Sequence, residues 1–123
     1  IVDNMVNAQQ RPSVLRQDAT PVERVKPGLD RRIIRTNDLM TVVIDFSGGP
    51  WEQPDPLHSH PHEQTTYVAA GELLFLAEGQ APVRMKAGDL FAVPSGVPHS
   101  IQLLSESARL VDTFNPIRED FLK

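Results

Sequence analysis

An all-β fold, a small barrel or sandwich carrying an N-terminal arm, is predicted by three features of the sequence. Short apolar runs recur at spacings of roughly ten residues, as in all-β domains. The connectors between them are rich in Gly and Pro. Eleven prolines leave little room for long helices. A length of 123 residues suits one domain. Such a domain hides roughly two-thirds of its unfolded surface, enough for a core without cross-links.

In chain order, residues 1–20 are polar and weakly periodic and are expected to form an arm. A helix over Val2–Gln10 would be short and poorly capped. Residues 21–123 are expected to form the domain. Its apolar runs are Arg32–Arg35, Leu39–Phe46, Thr65–Ala70, Leu73–Ala77, Val83–Met85, Leu90–Val93, Ile101–Leu104 and Leu110–Phe114, each read as a strand. The stretches SGGPWEQPDP, AGE, EGQAP, KAGD and PSGVP are read as turns and loops. Phe46, Phe75, Phe91 and Val93 are expected in the core. Trp51, in the loop Ser47–Pro56, has two readings: a pocket mouth or dimer interface, or a cover over the core's edge.

Composition narrows the function. A net charge of −4 argues against a nucleic-acid surface, which needs clustered positive charge. The absence of cysteine excludes disulfide scaffolds, thiolate metal sites and thiol catalysis. No apolar run approaches the roughly 20 residues of a membrane-spanning helix. With no leader-like segment in the sequence, a cytoplasmic location and no membrane partner are expected.

Chemistry concentrates in the histidines. Three of the four, His58, His60 and His62, fall within five residues. Extended backbone sends i and i+2 to the same face, so His58 and His60 converge and can supply neighbouring positions of a metal's coordination sphere. Pro61 then bends the chain, and Gln64 can return to the same centre. Glu63 is the better ligand chemically, but it points to the opposite face from Gln64. A second stretch, Gly88 to His99, combines a glycine turn, a short strand and a rigid Pro-Ser-Gly turn that delivers one imidazole to a defined point. His62 is expected to be exposed or to support a ligand from outside the coordination sphere.

Two patterns are then complete. HxH(x)3[E/Q](x)6G is met by His58, His60, Gln64 and Gly71, and G(x)5PxGxxH by Gly88, Pro94, Gly96 and His99. This pair resembles the two motifs of the cupin superfamily over about residues 22–121. The resemblance implies a double-stranded β-helix, the cupin jelly-roll barrel, with one divalent metal ion (zinc, nickel, manganese or iron) held by His58, His60, Gln64 and His99. Gln64 replaces the usual glutamate, and Leu103 stands where an asparagine is frequent. The string HPHEQ and the ending Asp112-Thr113-Phe114-Asn115-Pro116-Ile117-Arg118-Glu119-Asp120 resemble more narrowly the KdgF-type single-domain cupins, in which glutamine is the expected fourth ligand.

The narrower resemblance implies a metal-dependent isomerase that converts unsaturated uronates, left by polysaccharide lyases, into linear keto-sugars. It implies Asp112 and Arg118 as catalytic residues, with Phe114 and Arg118 against an anionic sugar substrate. Without the resemblance, Asp112 and Arg118 read as an ordinary surface ion pair worth about 0–1 kcal/mol. The alternatives are another metal-cupin enzyme (a dioxygenase or a different sugar isomerase) and a sugar-binding or sensing cupin without turnover. A homodimer through edge strands is expected, since a small β-sandwich leaves such edges open.

Overall fold

Nine strands run through the computed structural model, which describes residues 11–123. They are β1 (Glu23–Lys26), β2 (Leu29–Arg35), β3 (Met40–Phe46), β4 (Glu63–Ala70), β5 (Glu72–Ala77), β6 (Val83–Lys86), β7 (Leu90–Val93), β8 (His99–Leu103) and β9 (Ala108–Asn115). All pair antiparallel, in a six-stranded sheet ordered β1-β2-β3-β9-β4-β7 and a three-stranded sheet ordered β6-β5-β8.

Period-two alternation decides which side chains face inward. On β4, Gln64, Thr66 and Val68 are buried while Glu63, Thr65 and Tyr67 are exposed. On β9 the buried set is Ala108, Leu110, Asp112 and Phe114. The larger core cluster includes Phe46, Val68, Leu73, Phe75, Val93 and Leu103, with Phe91 stacked on Phe75 at 4.1 Å between ring centroids. Trp51 packs on this cluster, edge-on to Phe46 at 5.6 Å. A second cluster, Met40, Val42 and Phe114, is packed against by Ile33, Ile117 and Phe121. Its location brings the C-terminal segment back onto the sheet that carries Asp112.

Gly71 makes the tight β4–β5 turn possible. Its φ is +84°, and a Cβ there would lie 2.4 Å from the Ser107 carbonyl oxygen, so any side chain meets both backbone strain and a clash.

Three expectations need correction or limits. β1 is not among the strands the apolar pattern predicts, because Glu23–Lys26 is wholly exposed and lacks an apolar face. It is stabilised by cross-strand charge pairs instead, Glu23 with Arg31 and Arg24 with Asp30. The Pro27-Gly28 pair, a turn signal, marks its hairpin. β2 begins at Leu29 rather than Arg32. The helix considered over Val2–Gln10 lies outside the described residues. The later part of the arm has no strand or helix and lies against the large sheet, where Arg109 Nη1 donates to Gln17 Oε1 and Arg32 Nε to the Thr20 carbonyl.

Candidate metal centre

Two distant segments are braced together to build the site. The His58 N–H donates to the His99 carbonyl at 3.0 Å, and the His99 N–H returns to the His58 carbonyl at 2.9 Å. This is an isolated bridge rather than a strand, so His58 and His60 converge from a locally extended loop that precedes β4. A further bond, Gly96 N–H to the His60 carbonyl at 2.9 Å, ties the Pro94–Val97 turn to the same loop. Gly96 takes φ +79°, which glycine adopts without penalty.

The imidazoles of His58, His60 and His99 meet as the spacing predicts. One ring nitrogen from each lies within 4.8 Å of the others. His60 and His99 are buried, whereas His58 is exposed. Backbone carbonyls set the tautomers: His60 Nδ1 faces the His62 carbonyl at 3.0 Å and His99 Nδ1 the Val97 carbonyl at 2.9 Å. A carbonyl only accepts, so each Nδ1 carries the proton and each Nε2 offers a lone pair. Burial is the largest cause lowering both imidazole pKa values, and the Arg118 charge acts in the same direction. Both rings are therefore held in the neutral, metal-ligating form.

Gln64 stands beside the trio. Its Nε2 donates to Thr66 Oγ1 at 3.0 Å, and its Oε1 lies 3.1 Å from His60 Nε2. Two lone-pair atoms thus face each other at hydrogen-bond distance with no proton between them. His60 Nε2 and Gln64 Oε1 could both hold a divalent cation, which would resolve that contact. Three imidazoles and an amide oxygen are donors that zinc, nickel, iron and manganese all accept. His62 stays outside the trio, and its contribution is the carbonyl that orients His60.

Beside the histidines lies a cavity of about 270 Å³, with Asp55, His58, Gln64, His99, Asp112 and Arg118 as its polar lining. Ile44, Phe91 and Phe114 are among its apolar lining. Trp51 does not line it and packs on the core cluster, as the cover reading expects. A shallower groove of about 410 Å³ lies between β4, β7 and β9, but it contains none of the three histidines.

Asp112 and Arg118 reach this cavity by different routes. Asp112 is buried on β9, accepting from Thr66 Oγ1 at 2.6 Å. Burial pushes its carboxyl up to about 6, outweighing the Thr66 bond and the Arg118 charge that pull it down. Arg118 lies beyond the end of β9, after Pro116. Its guanidinium stands over Phe121 at 4.2 Å and Phe114 at 5.1 Å, and it binds Asp120 through Nε and Nη2 at 3.1 and 2.8 Å. The surface-pair reading of Asp112 with Arg118 is therefore overturned: Asp112 is buried, and the carboxylate paired with Arg118 is Asp120.

Thr66, Asp55 and Phe121 also belong to the site and were not singled out in the sequence. Thr66 had a usable signal, because it lies two residues after Gln64 on one strand face. Asp55 and Phe121 carry no comparable local pattern.

Comparison with known proteins agrees with this geometry. The family model described as Cupin domain matches residues 48–114. The pectin degradation protein KdgF of Dickeya dadantii is 38% identical over 107 residues, covering 85% of this chain and 94% of that protein. The structure of KdgF from Halomonas sp. superposes with a TM-score of 0.79 at 32% identity, covering 89% of this chain and 99% of that one. An RmlC-like cupin from Shewanella frigidimarina gives a TM-score of 0.80 at 34% identity, covering 92% and 98%.

Proposed function

This chain belongs to the cupin family, and on that premise we propose that it is a metal-dependent isomerase of pectin or alginate breakdown. Its substrate is an unsaturated monouronate left by a polysaccharide lyase, with a C4=C5 double bond conjugated to the carboxylate. The observation that carries this reading is one cavity lined by imidazole and amide side chains, a buried carboxyl and a guanidinium. The likeness to KdgF points to the sugar acid.

A divalent ion held by His58, His60, Gln64 and His99 would supply Lewis-acid stabilisation of negative charge on the substrate's carboxylate and adjoining oxygen. Arg118 binds the anion: Asp120 holds Nε and Nη2, and Nη1 remains for a substrate oxygen. Phe121 and Phe114, packed edge-to-face on each other, both contact the guanidinium and hold it in place. As the C1–O5 bond breaks, Asp112 takes the C1 hydroxyl proton, giving an aldehyde at C1 and an enolate at C5. Asp112 then returns that proton to C4, leaving a C5 ketone. A carboxyl with its pKa raised to about 6 can both hold and release a proton near neutrality.

A dioxygenase fits less well, since the usual iron oxygenase set includes a carboxylate and Gln64 occupies that place here. Proton NMR of a lyase-generated monouronate incubated with the protein tests the reading. The vinylic C4 proton should give way to a C4 methylene faster than in a protein-free control, and conversion at the control's rate contradicts isomerisation. The same reading includes a homodimer through edge strands, which a monomer in solution scattering would refute.

A further inference from the structure

Thr66 is fully buried on β4, directly opposite Asp112 in the β4–β9 ladder and on the same face as Gln64. Its hydroxyl has one proton, and that proton goes to Asp112 Oδ1 at 2.6 Å. Its oxygen can then only accept from the Gln64 amide, whose Nε2 lies 3.0 Å away. The amide is left one orientation, with Oε1 turned toward His60 Nε2.

We propose that Thr66 is a positioning residue for the metal centre, relaying the Asp112 carboxylate to Gln64 so that the amide presents its oxygen rather than its nitrogen to the ion. The proposal rests on the reading of Gln64 as a metal ligand. Its physical content lies in the alternative that Thr66 prevents. With the amide turned over, the Gln64 NH2 would donate to His60 Nε2, and one hydrogen bond would consume two ligands. That state is otherwise attractive in the metal-free protein, because it relieves the contact between two acceptors. Thr66 opposes it, since the turned amide would set Oε1 against a hydroxyl oxygen whose proton is already committed.

Zinc binding by the metal-free protein, measured by competition with a chromophoric chelator, tests this. Thr66→Val removes the hydroxyl at nearly constant volume and should weaken zinc binding by about 10-fold or more, the usual effect of losing a ligand's supporting partner. Thr66→Ser keeps the hydroxyl and should restore affinity close to wild type. In a Gln64→Ala background, Thr66→Val should have no further effect, because the group it orients is gone. Thr66→Ala replaces Thr66→Val if the latter does not show a cooperative unfolding transition. Equal affinity in wild type and Thr66→Val overturns the proposal, as does an undiminished loss in the Gln64→Ala background. Wild-type protein that binds no zinc, nickel, manganese or iron overturns both this proposal and the metal reading beneath it.

Discussion

His58 and His99 hold each other's backbones through two reciprocal hydrogen bonds, 3.0 and 2.9 Å long, while their ring centroids stand 4.5 Å apart. The main chain makes this brace, so it survives loss of either imidazole. His99→Ala should therefore keep the fold and lose the metal. Metal analysis after dialysis should show a near-stoichiometric ion in wild type and almost none in the variant, with similar far-ultraviolet circular dichroism. Retained metal would remove His99 from the ligand set.

Asp112→Asn separates chemistry from metal binding. Asn keeps an oxygen that can accept from Thr66, so the Gln64 orientation and the bound ion are preserved. It cannot deliver a proton, and turnover should fall by about 10²–10⁴-fold, the usual contribution of a general acid or base. Turnover and metal content measured on the same sample check this.

Asp112 also sets a pH dependence of stability. Its folded pKa, about 6, lies above the ordinary carboxylate value of 3.8. The unfolded chain therefore ionises first, and the contribution of this group is fully present below pH 3.8 and is lost as pH rises through about 6. The shift of roughly two units corresponds to about 3 kcal/mol. In metal-free protein, the Tm of Asp112→Asn relative to wild type should thus climb between pH 4 and pH 7 and then level off. A pH-independent difference would contradict a raised pKa.

Arg118→Lys keeps the charge but loses the planar fork and the guanidinium's contacts with Phe121 and Phe114. One charged hydrogen bond to substrate is worth about 1.5–3 kcal/mol, so KM should rise about tenfold or more. The effect on kcat should be smaller than that of Asp112→Asn. Steady-state kinetics of the two variants, compared directly, distinguish binding from proton transfer.

Much of this was legible in the sequence for a physical reason. Period-two burial on β4 and β9 places Gln64, Asp112 and Phe114 inward, and glycine punctuation marks the turns. The two motif stretches carry the three converging histidines. What escaped depended on non-local contacts. β1 is a charged edge strand held by pairs to β2, and Thr66 looked like an ordinary strand residue until β9 set Asp112 opposite it. Arg118 could not be placed from strand parity because Pro116 follows the end of β9, and its position comes from packing against Phe121. No helix among the described residues is long and apolar enough to cross a membrane.

The most direct test is the rate at which the enoate absorbance of lyase-generated unsaturated monouronates decays in the presence of the protein. Decay should be much faster than the spontaneous rate with metal-loaded protein, return to that rate with chelator, and recover when a divalent ion is added back. A rate equal to the spontaneous one in every sample, from protein that binds metal, would contradict the proposed isomerase.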